Sequence, residues 1–211
     1  MKLYIVRHAQ SKRNIGKKSE VDTELTEDGK EQARRLGSYF NNLKIDKIYC
    51  SKLRRAKDTL KEILPYLKKI PVTYTKKINE HKMGIYEKKG KDDWASYARD
   101  AKKAGELFYL FKPKEGDSLN KTYERAGKFY KHLLNNHSKD TILLVGHGIF
   151  SLYLILNAFN LPITEGKYYG LSNAAVSQID IKNKKITYYH IDDFHHLISE
   201  GLKKLEYKKW K

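Results

Sequence analysis

The sequence predicts an α/β fold, a three-layer sandwich with a mostly parallel central sheet flanked by helices. Three observations carry this. Short apolar runs that read as strands alternate with segments of helical periodicity, the order that builds parallel sheets with helices on both faces. Two of those runs, at residues 2–6 (KLYIV) and 141–145 (TILLV), are apolar nearly throughout, as strands buried on both faces should be. No internal repeat or long low-complexity linker interrupts the 211 residues, a length suited to one domain with a sizeable core and at most a modest insertion.

The run at 2–6 opens the sheet, and a polar loop, RHAQSKRN, follows at 7–14. Leu25-Thr26-Glu27-Asp28-Gly29 starts a helix. Thr26 is placed to cap it, acids fill its first turn, and Ala33, Leu36, Gly37 and Phe40 share one face. Residues 45–50 read as a second strand, and Ser51 turns the chain into a helix over about 53–64. Pro65 and Pro71 punctuate the connection to a strand near 72–74. From 92 to about 110 the spacing of Trp94, Tyr97, Ala98, Ala101, Gly105 and Phe108 is helical, and this stretch reads as an insertion over the sheet. A further helix begins near Ser118, with Leu119, Tyr123, Ala126, Tyr130 and Leu133 on its inner face. The strand at 141–145 leads through Gly146-His147-Gly148 into an almost wholly apolar helix over 149–159. Residues 174–181 and 186–191 form a closing hairpin around Asn183-Lys184.

Lys and Arg number 43 against 25 Asp and Glu, a formal net charge of +18. Most of the lysines are scattered, which favours a solvated surface, and attraction of anionic substrates is a second reading. Nucleic-acid binding finds no recognised motif. Its best fragment is the C-terminal pair of Lys203-Lys204 and Lys208-Lys209 with Tyr207 and Trp210. Charged residues appear at once, with no cleavage site after them, so no signal peptide is expected, and no apolar run approaches membrane-spanning length. The single cysteine, Cys50, excludes an internal disulfide and fits a reducing compartment, so a cytoplasmic protein is expected.

Two histidines share one setting. His8 follows the strand ending at Val6, and His147 follows the strand ending at Val145. Each stands where a parallel strand gives way to a loop, the edge at which open α/β sheets bind ligands. A lone strand-end histidine is commonly structural; two in matched settings, one beside Arg7 and one between glycines, point to a site. Phosphate needs fixed donors, which guanidinium supplies as a fork. Arg7 is one candidate and Arg55, whose neighbour Ala56 lets it pack close to the sheet, is another, whereas Arg54 reads as a surface residue. Asn14 could bond a phosphate oxygen or hold the loop. A nucleophilic imidazole must be neutral, with its second nitrogen held by an acceptor, and nearby arginines help keep it so. Glu80, in the loop after the third strand, is the candidate acid for a leaving alkoxide.

Arg7-His8-Ala9-Gln10-Ser11-Lys12-Arg13-Asn14 resembles the RHGE(T/S)xxN signature of the histidine phosphatase superfamily, also called phosphoglycerate mutase-like. Asp22-Thr23-Glu24-Leu25-Thr26 with Gly29, Gln32 and Ala33 resembles the segment that follows it. Ser51, Leu53, Arg55, Ala56 and Thr59 match the next block, and Asn79-Glu80 with Gly84 match the acid-bearing loop. Gly116-Asp117-Ser118 with Arg125, and then Gly146-His147-Gly148, complete an ordered set over nearly the whole chain. The resemblance implies a phosphoglycerate mutase-like fold and a single histidine phosphatase domain over 1–211, with a helical cap insertion at about 86–115. It implies that His8 becomes phosphohistidine and that Arg7, Arg55 and His147 form the phosphate pocket, with Asn14 at its edge. Glu80 would protonate the leaving group and then activate water. Ser11, Thr23, Glu24 and Gly148 stand where family members contact phosphate or the rest of the substrate. No metal or other cofactor is required, and the partner is a small phosphorylated metabolite, bound by a monomer or homodimer.

Ala9 departs from the usual glycine and asks for an ordinary backbone angle there. Gln10 replaces the commoner Glu. His81 stands where mutases carry an arginine, and the middle region lacks their long insertion, so a phosphomonoesterase is favoured over a cofactor-dependent phosphoglycerate mutase. The intact residue set argues against an inactive phosphate-binding scaffold. Cys50 fails the Cys-x5-Arg spacing of cysteine phosphatases because position 56 is Ala56, and His190, His195 and His196 lack a supporting metal-ligand pattern.

Overall fold

The computed structural model describes residues 1–16, 22–88 and 91–198, so the basic and aromatic C-terminal fragment lies outside the described residues. In chain order the elements are β1 (Lys2–Arg7), α1 (Glu27–Phe40), β2 (Lys47–Ser51), α2 (Arg54–Ile63), β3 (Val72–Thr75), a short ribbon of β4 (Glu87–Lys88) and β5 (Lys91–Asp92), α3 (Trp94–Lys103), α4 (Leu119–Asn136), β6 (Thr141–Gly146), α5 (Gly148–Ala158), β7 (Val176–Lys182) and β8 (Lys185–Asp193). Six strands form one sheet in the order β3-β2-β6-β1-β7-β8. β1 and β2 both pair parallel with β6, and β2 pairs parallel with β3. β7 runs antiparallel to β1 and β8, which makes the sheet mixed but mostly parallel, as the sequence predicts.

The unbroken apolar runs serve two cores at once. Because successive side chains point to opposite faces, Leu3, Ile5, Ile142 and Leu144 pack under α4 and α5 with Phe129, Leu133, Phe150 and Leu154. Tyr4, Val6, Leu143 and Val145 pack on the other face under α1 and α2, with Leu36, Phe40, Leu60 and Ile63. Cys50 belongs to that second core, where burial pushes its thiol up to about 12, so it stays protonated.

Caps and stops match their residue types. The Thr26 hydroxyl accepts from the Gly29 amide (3.0 Å) and the Ser118 hydroxyl from the Lys121 amide (3.2 Å), closing the N-termini of α1 and α4. One expectation fails: the helix predicted over 92–110 ends at Lys103. Gly105 adopts a φ of +68°, its amide bonds Lys102 O, and the next amide, of Glu106, reaches back to Ala101 O at 3.1 Å. This double bond around a left-handed glycine is a Schellman stop, which the apolar spacing beyond it cannot override.

The stretch between Gly84 and Gly116 leaves and rejoins the body at one crossing. Gly84 has a φ of +60°, and a Cβ on it would stand 2.1 Å from Lys114 O; a Cβ on Gly116 would stand 2.7 Å from Lys82 O. The Ile85 amide donates to Lys114 O and the Asp117 amide to Lys82 O (3.1 and 2.8 Å). Among the described residues, no helix is long and apolar enough to cross a membrane.

Candidate active site

The sheet order puts β2, β6 and β1 side by side, so their C-terminal ends deliver Ser51, His147 and His8 to one place. The His8 amide donates to Gly146 O (2.9 Å), and the two imidazole rings lie 5.2 Å apart. His8, Arg55 and His147, which come from three distant parts of the sequence, are all buried here.

His8 is held in one protonation state and one tautomer. Its Nδ1 lies 2.8 Å from Ala9 O, an acceptor only, so Nδ1 carries the proton. Nε2 therefore presents its lone pair, to which Arg55 Nε–H donates at 3.1 Å. Burial, then the guanidinium charges of Arg55 and Arg7, hold the imidazolium well below its ordinary range, so the ring stays neutral. Ala9 is not among the residues with positive φ, which answers the departure from glycine. Its amide donates to Thr59 Oγ1 (3.0 Å), whose hydroxyl donates to Arg55 O (2.7 Å), so one threonine aligns the His8 loop and the arginine.

The loop after His8 is fastened to α1. The Gln10 amide donates to Gln32 Oε1 (2.9 Å), and the Thr26 amide donates to Gln10 O (3.0 Å). Gly29 gives the backbone room, since a Cβ there would stand 1.9 Å from Gln10 O. On the other side Asn173 Nδ2 donates to His8 O (2.8 Å), Ala174 N donates to Arg7 O (3.1 Å), and Arg7 Nη1 donates to Leu171 O. Arg7 lies against the first residue of α5: a Cβ on Gly148 would meet its guanidinium at 3.4 to 3.6 Å.

His147 is the N-cap residue of α5. Its Nε2 lies 2.7 Å from Ser51 Oγ, and its buried Nδ1 has no hydrogen-bond partner among the described residues. Burial, then the charge of Arg55, lowers its basicity as it does that of His8.

Glu80 lies at the start of the same helix. Its Oε1 accepts from the Phe150 and His81 amides (3.1 and 2.9 Å) and its Oε2 from the Ile149 amide (3.3 Å), a use of the free N–H groups of a helix N-terminus. Arg125 of α4 braces this loop: its guanidinium donates to Lys77 O, Asn79 O and Glu80 O at 2.9, 2.7 and 3.4 Å. His81 is buried, with Nδ1 3.0 Å from Thr122 Oγ1 and its ring stacked on Trp94 of α3 (6.1 Å, 16°). The stretch that follows Gly84 thus touches the residue beside Glu80.

The remaining expected contacts are engaged with protein. Asn14 Oδ1 accepts from the Ser11 amide and hydroxyl (2.9 and 2.8 Å), so both residues shape the loop. Thr23 is buried and its hydroxyl accepts from the Arg13 amide (3.1 Å). Glu24 pairs with Lys12 and with Arg54 (2.8 Å), and Asp22 accepts from the Arg54 amide (2.6 Å) and lies 3.8 Å from Arg55 Nη1. Arg54, half-exposed as expected, braces the rim. Among the described residues no three histidine, cysteine, aspartate or glutamate side chains are grouped to hold a metal ion. His190 and His195 instead face Asp193, and His196 bonds Ala174 O. Sequence reasoning assigned no role to Asn79, Thr59 or Asn173. The first two stand inside recognisable blocks, but Asn173 carries no local signal.

A model of the histidine phosphatase superfamily (branch 1) matches residues 3–193. The chain is 26% identical over 198 residues to adenosylcobalamin/alpha-ribazole phosphatase of Escherichia coli (strain K12), covering 89% of this chain and 93% of that protein. It is 25% identical over 194 residues to a protein named "Probable phosphoglycerate mutase GpmB" of Salmonella arizonae, covering 88% and 87%. The crystal structure of the alpha-ribazole phosphatase from Shigella flexneri superposes with a TM-score of 0.77 at 24% identity, over 92% of this chain and 96% of that one.

Proposed function

Because the chain belongs to the histidine phosphatase superfamily (branch 1), we propose that it is a metal-independent phosphomonoesterase acting on small phosphorylated metabolites through a phosphohistidine at His8. The observation that carries this is the state of His8: buried, neutral, its Nδ1 proton pinned to Ala9 O and its Nε2 lone pair facing Arg55. A neutral imidazole with one fixed tautomer is what a nitrogen nucleophile needs at ordinary pH.

In the proposed reaction the ester phosphate displaces His8 Nε2 from Arg55, whose guanidinium then binds a phosphate oxygen together with Arg7, His147 and the edge residue Asn14. His8 Nε2 attacks phosphorus and the phosphorus–oxygen ester bond breaks. Glu80, protonated, gives up a hydrogen bond from a backbone amide, turns to the leaving oxygen and gives it the proton. Water then attacks the phosphohistidine, Glu80 takes its proton, and phosphate leaves with His8 restored. The arginines serve the charge on the transferring oxygens. The stretch at 86–115 caps the leaving-group side as part of one domain, a reading supported by the stacking of Trp94 on His81. Hydrolysis is favoured over a mutase reaction because the residue after the acid is His81, a ring committed to Thr122 and Trp94 rather than a free cation for a sugar-acid carboxylate.

The test is turnover of p-nitrophenyl phosphate and of a phosphorylated-metabolite panel with EDTA present. Wild type should release phosphate and carry acid-labile label, and His8→Ala should do neither. Substantial turnover by His8→Ala would defeat the assignment, and formation of 2-phosphoglycerate from 3-phosphoglycerate would restore the mutase reading.

A further inference from the structure

The polar chain behind His147 fixes where its proton sits. Asn79 Oδ1 lies 3.1 Å from the Lys52 amide, which can only donate, so that atom is the amide oxygen. Ser51 Oγ lies 2.9 Å from the same oxygen, which can only accept, so the serine hydroxyl donates to it. Having spent its proton, Ser51 Oγ accepts from the Leu53 amide (3.2 Å) and from His147 Nε2 (2.7 Å). Nε2 therefore carries the His147 proton, and neutral His147 is left with a bare lone pair on Nδ1. That is the buried atom with no hydrogen-bond partner among the described residues.

A lone pair is the wrong face to show a phosphate ester dianion, whose oxygens are all acceptors. We propose that Asn79 and Ser51 act as a tautomer lock on His147, so that the phosphate ester dianion binds with uptake of one proton from solvent, shared between His147 Nδ1 and a phosphate oxygen. The inference rests on the reading of His147 as a phosphate ligand and adds to it a proton requirement and two positioning residues. The step is a protonation only: the solvent proton ends between nitrogen and oxygen, the Nε2–H bond to Ser51 is kept, and nothing is oxidised or reduced.

The charged groups around His147 make the requirement sharp. Arg7 faces it from β1, Arg55 from α2 and Arg125 from α4, each raising the cost of a second ring proton in the absence of an anion, and the neutral ring of His8 lies beside it at 5.2 Å. Glu80 sits at the same helix end, its carboxylate on the first amides of α5. An arriving dianion compensates the arginines and makes the proton tolerable.

The experiment is calorimetric titration of the full-length protein with phenylphosphonate near pH 8.5, where it is a dianion with no P–OH group and no ester bond to hydrolyse. It is repeated in buffers of different ionisation enthalpy, so that the slope counts protons. Wild type should take up about one proton per phosphonate bound. His8→Ala should take up the same, which assigns the proton away from the nucleophile. In Ser51→Ala the acceptor is gone, His147 is free to carry its proton on Nδ1 and donate it, and uptake should fall toward zero. Asn79→Ala frees the Ser51 hydroxyl to turn toward Nε2 and should do the same, while Ser51→Thr, which keeps the hydroxyl, should keep the uptake. A merely structural role for the pair would weaken binding without moving the proton count. Phosphonate binding by wild type with no uptake, or full uptake in both alanine variants, overturns the lock and leaves the proposed function standing. Failure of wild type to bind the phosphonate overturns both.

Discussion

Lowering the pH should cost the fold more than an ordinary enzyme of this size would lose, because two imidazoles are buried among arginines. His8 and His147 are both held neutral well below the ordinary histidine range, by burial first and Arg55 next. In the unfolded chain each takes a proton near pH 6.5, so below that value the unfolded state binds more protons than the folded one. Stability therefore rises with pH through this window and falls as pH drops below about 6.5. Each such histidine contributes about 1.4 kcal/mol per pH unit once pH is below its unfolded value. Between pH 7.5 and 5.0 this integrates to at most about 2 kcal/mol per histidine and at most about 4 kcal/mol for the pair, a large share of a typical folding free energy. Urea unfolding at constant ionic strength over that range measures it. His147→Gln, which cannot titrate, should lose about half of the pH dependence assigned to the pair, whatever it does to stability at pH 7.5. Equal free energies at pH 7.5 and 5.0, or an unchanged slope in His147→Gln, would refute the reasoning.

Other outcomes follow from single contacts. Arg55→Lys loses the fork and the Nε–H bond to His8 at 3.1 Å; kcat for p-nitrophenyl phosphate should fall by about 10²–10³ with a smaller change in KM, read by steady-state kinetics. Gly29→Ala places a Cβ 1.9 Å from Gln10 O, two residues past His8, the proposed nucleophile; it should cost about 1–3 kcal/mol in urea unfolding and lower kcat as well. Arg125→Met removes the donor from Lys77 O and Asn79 O; a loss of about 1–3 kcal/mol is expected, with the largest rate loss on alkyl phosphates, whose departure would depend most on the acid proposed at Glu80. Glu80→Gln should slow alkyl phosphates more than p-nitrophenyl phosphate; equal slowing of both would count against its role as acid.

Local signals carried most of the framework into the sequence. An apolar run read as a strand, a histidine just past its end and a threonine before an acidic turn are each decided within a few residues. That is why β1, β6, the α1 cap and the two histidines are found where expected. What was not legible is the polar bonding that sets tautomers and loop positions. Ser51 meets Asn79 across 28 residues, Arg125 meets the Asn79 carbonyl across 46, and Asn173 meets the His8 carbonyl across 165. None of these residues has a periodicity, so only the sheet order brings them together. The overlong helix at 92–110 shows the opposite error: apolar spacing continued past Gly105, but a left-handed glycine with its two back-bonds ended the helix sooner.

The crossing at Gly84 and Gly116 makes the stretch between them a cassette. Its ends meet within one hydrogen bond of each other, so the backbone that carries Glu80 sees the same anchor whatever lies in between. Loop-closure entropy grows only slowly with length, by about 0.6 kcal/mol per doubling, so such a stretch can be lengthened, shortened or exchanged at small thermodynamic cost. On the proposed reading of this stretch as a cap, grafting a corresponding stretch from a relative between these two glycines is a direct route to new substrate preference, provided the donor also supplies an aromatic ring to replace Trp94 over His81. On that reading the same economy gives evolution a way to vary what is recognised while the proposed phosphoryl-transfer groups stay fixed.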